Sequence, residues 1–198
     1  MILYINACVR AQSRTDLLAR ELLDALGDEY EEVKLEDLKL QPLYNETLEK
    51  RSKLVDAGDF SDPMFYLAKQ FAKADVIVIG APYWDMSFPS ILKIYLENIF
   101  VVGIVTKYNE EGIPEGMCNG KRMFYVTTAG GEYVSDYSYA YCRDVFTKYF
   151  GFVDTNLIDA SNLDIVGANV DEILETTKST IRFRQNLFRI VNNGEFIL

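Results

Sequence analysis

Residues 75–80 read Asp-Val-Ile-Val-Ile-Gly, an apolar run without polar alternation. A strand with one wet face alternates; a strand without alternation must be covered on both faces. That requirement points to a parallel sheet between two layers of helices. The rest of the chain supplies the parts. Strands are predicted over residues 2–7, 32–35, 75–80, 122–128 and 155–160, with the second polar enough for an edge. A helix is predicted over 15–26, with Leu17, Leu18, Leu22, Leu23 and Leu26 on one stripe and a stop at Gly27. A second opens at Ser61-Asp62-Pro63, a capping residue and a first-turn proline, and runs to residue 73. Others are predicted over 89–100, 138–150 and 170–191. The 89–100 helix is apolar nearly all round, which implies cover on two sides, for example by a partner subunit. Residues 39–59 form a charged excursion with some helix, and 112–120 a turn-rich loop. The expected fold is α/β: one domain over residues 1–198, a doubly wound five-stranded parallel sheet of order 2-1-3-4-5.

Composition removes several function classes. The net charge of -10 argues against nucleic acid and anionic membrane surfaces as partners. The longest apolar runs, 76–80 and 99–105, are too short for a membrane span, and the N-terminal run reads as a strand, not a signal peptide. The 3 cysteines, Cys8, Cys118 and Cys142, are odd in number and far apart, which fits free thiols in a cytoplasmic protein and no metal site. With 0 histidines, no mechanism that uses imidazole is open. No GxGxxG follows the first strand, and Gly120-Lys121 lacks the earlier glycine of a phosphate-binding P-loop.

Three segments at predicted strand ends could carry chemistry. The first, residues 10–15, holds Arg10, Ser13, Arg14 and Thr15 at the start of a helix. Free helix N–H groups, two hydroxyls and two guanidinium groups suit a terminal phosphate; a capping box, Ser13-x-x-Asp16, with two solvated arginines would read the same way. The second holds Pro82, Tyr83, Trp84, Asp85 and Met86. These groups could wall a planar heteroaromatic ring, or be core or interface aromatics. The third is Thr128, Ala129, Gly130, Gly131, then Tyr133, where paired glycines allow a ligand close to the backbone, or a plain turn. In a sheet of order 2-1-3-4-5 these edges converge on one crevice. A ligand with a phosphate at one end and a flat ring at the other, such as FMN, fits it.

With those motifs in place, the sequence resembles the flavodoxin-like NAD(P)H:quinone oxidoreductases, and within them the FMN-dependent azoreductase-type flavoproteins. The resemblance runs from residue 2 to about residue 190. It rests on Ser13-Arg14-Thr15, on Ala81-Pro82-Tyr83-Trp84 before a Pro-Ser helix start, on Gly112-Ile113-Pro114-Glu115-Gly116, and on Thr128-Ala129-Gly130-Gly131. It implies an FMN-binding homodimer that oxidises NADH or NADPH and passes two electrons, by ping-pong hydride transfer, to quinones, azo compounds or similar acceptors. It implies that Ser13, Arg14 and Thr15 hold the phosphate, that residues 82–86 run along the ring, and that residues 128–131 meet its pyrimidine side. Thr106-Lys107-Tyr108 resembles the segment that reaches the partner's site. No protein acid or base is required; Tyr83, Tyr108 and Tyr133 are the available proton donors. Two positions depart from the family. Ala7 stands where a serine is common, with Arg10 as compensation. Asp85 stands where asparagine is common, and a carboxylate beside the ring would lower its potential. The rival expectations are a flavodoxin-type electron carrier, an NAD(P)H-dependent FMN reductase, and an acidic interaction module without a cofactor.

Overall fold

The computed structural model describes residues 1–190, with side chains through residue 184. In chain order its elements are β1 (Ile2–Asn6), α1 (Arg14–Leu26), β2 (Tyr30–Lys34), α2 (Leu35–Leu38), α3 (Asn45–Asp56), a 3-10 turn (Pro63–Phe65) leading into α4 (Tyr66–Lys73), β3 (Val76–Gly80) and α5 (Ser90–Ile99). Then follow β4 (Thr106–Tyr108), β5 (Pro114–Gly116), β6 (Arg122–Thr128), α6 (Tyr139–Val145) continued by a π-helical turn (Phe146–Phe150), β7 (Asp154–Ala160) and α7 (Val170–Ile190). The end expected for the last helix, Val191, lies outside the described residues.

Five strands form one parallel sheet in the order β2-β1-β3-β6-β7, which is 2-1-3-4-5 when only sheet strands are counted. β3 lies at the centre with every residue buried, as its unbroken apolar run requires. Its side chains feed two cores by turns. Val76 and Val78 join Ile2, Tyr4, Phe124 and Val126 under α1 and α7. Ile77 and Ile79 join Leu3, Ile5, Met123 and Tyr125 under α4, α5 and α6. This period of two within each strand is why a run with no sequence alternation still divides cleanly.

Several local expectations change. Leu17 is not on the buried stripe of α1. That stripe is Thr15, Leu18, Ala19, Leu22, Leu23 and Leu26, the i, i+3, i+4, i+7 set, which leaves Leu17 facing outward. β2 begins at Tyr30 and ends at Lys34, because Leu35 reaches the core as the first residue of α2. Asp62 does cap the helix before α4, its carboxylate accepting from Met64 N–H at 3.0 Å. The expected helix over 138–150 opens into a π turn after Val145. The wider turn keeps Phe146 and Phe150 both in the core, edge-on to Phe71 at 5.4 and 5.2 Å.

The second side of α5 is covered by the chain itself. Leu40, Leu54 and Val55 from the 39–59 excursion pack on the same core as Leu92, Leu96 and Ile99. Arg51 donates to the Glu97 carbonyl at 2.9 Å, and Asn98 donates to that of Gln41 at 3.3 Å. The apolar character of this helix therefore needs no partner subunit to explain it. The region expected to be a plain loop, 112–120, instead holds β5, which pairs antiparallel with β4 through Thr106–Gly116, Lys107–Glu115 and Tyr108–Pro114. Among the described residues no helix is long and apolar enough to cross a membrane.

Candidate functional site

A cleft of about 300 Å3 opens at the carboxyl edge of the sheet, over the ends of β1, β3, β6 and β7. The sheet hydrogen bonding runs past the strands and fixes its walls. Ala7 N–H donates to Gly80 at 2.9 Å, Tyr83 N–H to Thr128 at 3.0 Å, and Ala129 N–H to Ala160 at 2.9 Å. Beyond β7 the pairing continues, with Leu163 N–H donating to Ala129 at 3.2 Å and Asp164 N–H to Gly130 at 2.8 Å.

One end of the cleft is the start of α1. Val9, Arg10, Gln12, Ser13, Arg14 and Thr15 line it. Ser13 is the N-cap, and its hydroxyl accepts from Asp16 N–H at 3.3 Å. Arg14 and Thr15 hold the first two helical positions, where a backbone N–H has no acceptor within the helix. The capping box is only half formed. The Asp16 carboxylate turns inward to Tyr4, Asn6 and Arg20 instead of back to Ser13. Thr15 is fully buried and shares a hydrogen bond of 2.7 Å with the Thr128 hydroxyl, which ties the first segment to the third. Arg14 forms an ion pair with Asp164 at 2.8 Å across the mouth. Ala7 and Cys8, just past β1, are both buried. Burial pushes the Cys8 thiol up to about 12, so it is neutral there at physiological pH.

The other end carries the aromatic side chains. Pro82, Tyr83 and Trp84 line it from β3, and Thr128, Ala129 and Gly130 from β6. A Cβ at Gly130 would stand 2.5 Å from Asp164 Oδ2, so a side chain there would push the Asp164 carboxylate from its place at the mouth. Asp85 and Met86 form the tip of a two-residue turn closed by Trp84 and Ser87, whose N–H and C=O groups exchange bonds of 2.8 Å. Both tip residues have positive φ, 49° and 67°, the geometry of a type I′ turn. Ser87 anchors the turn by donating to the Tyr137 carbonyl at 2.6 Å.

Of the residues singled out in the sequence, Arg10, Ser13, Arg14, Thr15, Pro82, Tyr83, Trp84, Thr128, Ala129 and Gly130 come together in the cleft. Asp85, Met86 and Gly131 do not line it; Asp85 and Met86 stand exposed at its rim. Of the tyrosines, Tyr83 lines the cleft, with its ring edge-on to Tyr133 at 5.0 Å. The Tyr133 hydroxyl pairs with Ser138 at 2.9 Å, and burial raises its pKa against the lowering effect of that bond. Tyr108 is exposed on the β4–β5 hairpin. Sequence reasoning missed Val9, Gln12, Leu163 and Asp164. The signal for the last two was topological. β7 lies next to β6, so the segment after it had to border the same crevice.

The comparisons agree with this fold. Residues 1–183 match the family model described as flavodoxin-like fold. A protein of Clostridium beijerinckii named FMN-dependent NADH:quinone oxidoreductase is 35% identical over 186 residues, covering 88% of this chain and 92% of that protein. A Clostridium perfringens protein of the same name is 35% identical over 185 residues, covering 86% and 90%. The fold matches an azoreductase from Bacillus anthracis with a TM-score of 0.81 at 20% identity, covering 94% of this chain and 98% of that one. It also matches an FMN-dependent NADH-azoreductase from Bacillus anthracis, solved in complex with FMN, with a TM-score of 0.79 at 22% identity, covering 95% and 98%. The chain belongs to the flavodoxin-like fold family, among relatives named FMN-dependent NADH:quinone oxidoreductase.

Proposed function

We propose that this protein is an FMN-dependent NADH:quinone oxidoreductase that uses the cleft over β1, β3, β6 and β7 as its cofactor and substrate site. The observation that carries the reading is the polarity of that cleft. Two N–H groups of α1, the Ser13 hydroxyl and the guanidinium groups of Arg10 and Arg14 stand at one end. Tyr83, Trp84 and side-chain-free backbone at Gly130 stand at the other. A phosphate matches the first set and a flat ring the second. The residues present therefore fit FMN, with helix N–H groups, a hydroxyl and two guanidinium groups for its phosphate and aromatic side chains for its ring.

When bound, FMN supplies a ring that accepts hydride from NADH and delivers two electrons to a quinone. The chain's own groups bind and orient. Ser13 keeps a hydroxyl proton to donate while accepting from Asp16. Pro82, Tyr83 and Trp84 shape the slot, with Asp85 and Met86 on its rim. Gly130 N–H, on the cleft wall, would be the backbone donor to the ring edge where charge gathers. The homologues' names favour NADH over NADPH and a quinone as acceptor. A homodimer and a cytoplasmic location belong to the same reading. Trp84, Met86 and Tyr137 leave apolar surface around the mouth, and buried free thiols suit a reducing compartment.

The test is a flavin absorbance spectrum of protein reconstituted with FMN, followed by steady-state NADH oxidation with and without a soluble quinone. Quinone-dependent turnover is expected. Bound flavin without turnover would support an electron carrier instead, and failure to bind FMN would overturn the reading.

A further inference from the structure

We propose that Asn6 is a positioning residue for the phosphate end of the cleft, holding the loop after β1 and the start of α1 in fixed relation. This rests on the FMN reading above. Asn6 is the last residue of β1, paired in register with Lys34 of β2 and Gly80 of β3. It is 3% exposed and does not line the cleft. Both hydrogens and the oxygen of its amide are engaged. Oδ1 accepts from Cys8 N–H at 2.9 Å, which bends the chain off the strand and into residues 9–13. Nδ2 donates to Asp16 Oδ1 at 3.0 Å and to Glu32 Oε1 at 2.8 Å.

Those two carboxylates are themselves tied down. Asp16 also accepts from the Tyr4 hydroxyl at 2.7 Å and from Arg20 Nε at 2.9 Å. Arg20 forks onto both oxygens of Glu32 at 3.0 and 3.1 Å. Asp16 is the third residue of α1, next to Arg14 and Thr15, which line the cleft at the helix start. The amide of Asn6 therefore joins three elements within one network: the loop through Cys8, α1 through Asp16, and β2 through Glu32. The loop residues Arg10 and Ser13 and the N–H groups of α1 must converge on one anion, and these bonds set their relative position. An aspartate at position 6 would bring a third carboxylate against Asp16 and Glu32. An aliphatic residue would leave the Cys8 N–H without its acceptor. Only a small amide meets both demands.

Apoprotein is titrated with FMN and, separately, with riboflavin, which lacks the phosphate; flavin fluorescence reports both. The native protein is expected to prefer FMN by at least about a hundredfold, as several charge-assisted bonds require. In Asn6→Ala that preference is expected to fall about tenfold, with riboflavin affinity held within about twofold. Asn6→Ser, whose hydroxyl can accept from Cys8 N–H, is expected to recover part of it. Should Asn6→Ala not fold, Glu32→Ala on the edge strand carries the test, with an expected fall of about threefold. An unchanged FMN-to-riboflavin ratio in the folded variant, or an equal loss for both flavins, overturns the role of Asn6 and leaves the FMN reading intact. A native protein that prefers neither flavin overturns the reading beneath it.

Discussion

Arg14 shows how one side chain can be committed twice. It stands at the cleft among the phosphate candidates, and it is paired with Asp164 on the loop after β7. Both partners are partly exposed, so the pair contributes little to folding. A bound anion would compete with Asp164 for the guanidinium. Asp164→Asn is therefore expected to tighten FMN binding by about two- to fivefold, and Arg14→Ala to weaken it by about tenfold or more. Titration of apoprotein measures both; a weaker Asp164→Asn complex would show that the carboxylate helps the ligand instead. Asp85 is a second case. The sequence suggests that its charge matters because it would stand beside the ring. The structure adds a conformational reason why asparagine suits this place: φ is 49°, in the left-handed region that asparagine enters more easily. Asp85→Asn is expected to stabilise the fold by roughly 0.5 kcal/mol, read as a higher midpoint in thermal unfolding. The midpoint potential of the bound flavin should rise alongside it only if the exposed carboxylate reaches the ring.

At the scale of elements, the β4–β5 hairpin is the addition that local pattern did not reveal. Its strands are three residues each, too short for periodicity to register. What holds the hairpin is a close backbone approach. A Cβ on Gly116 would overlap Gly151 N and the Phe150 carbonyl carbon, and Gly151 itself closes the π turn with φ 84°. Gly116→Ala is expected to destabilise the protein by about 1–3 kcal/mol, measured by urea unfolding. A change below about 0.5 kcal/mol would mean that the contact is slack. The hairpin presents Tyr108 and Ile113 to solvent beside the Lys107–Glu115 ion pair at 3.0 Å. That rigid mounting suits a segment that reaches a second subunit. Light scattering on purified protein, with a mass of two chains expected, tests it.

Taken whole, the molecule buries ionisable groups in their neutral forms. Burial pushes the Cys8 and Cys118 thiols up to about 12, and raises those of Cys142 and the hydroxyls of Tyr4, Tyr95 and Tyr125 further. A group whose pKa is raised by folding adds stability in full below its unfolded value and loses it as pH climbs toward the folded one. Here the unfolded values are 9.0 for thiols and 10.0 for tyrosines. Unfolding free energy is therefore expected to stay level with respect to these groups up to about pH 9 and to fall steadily above it. Denaturant melts from pH 7 to 11 measure this. The same burial predicts slow alkylation of all 3 cysteines in the native state. The amino-acid sequence alone determined the parallel, doubly covered sheet and the three candidate segments at its strand ends, because unbroken apolar runs and helix periodicity are local and survive without neighbours; the strand order followed from the fold type that the sequence resembles. It could not show the Asn6 network, the Asp164 pair with Arg14, the cover that residues 39–59 provide for α5, or the Gly116–Gly151 contact. Each of these joins residues from different elements, and only the packed sheet sets the distance between them.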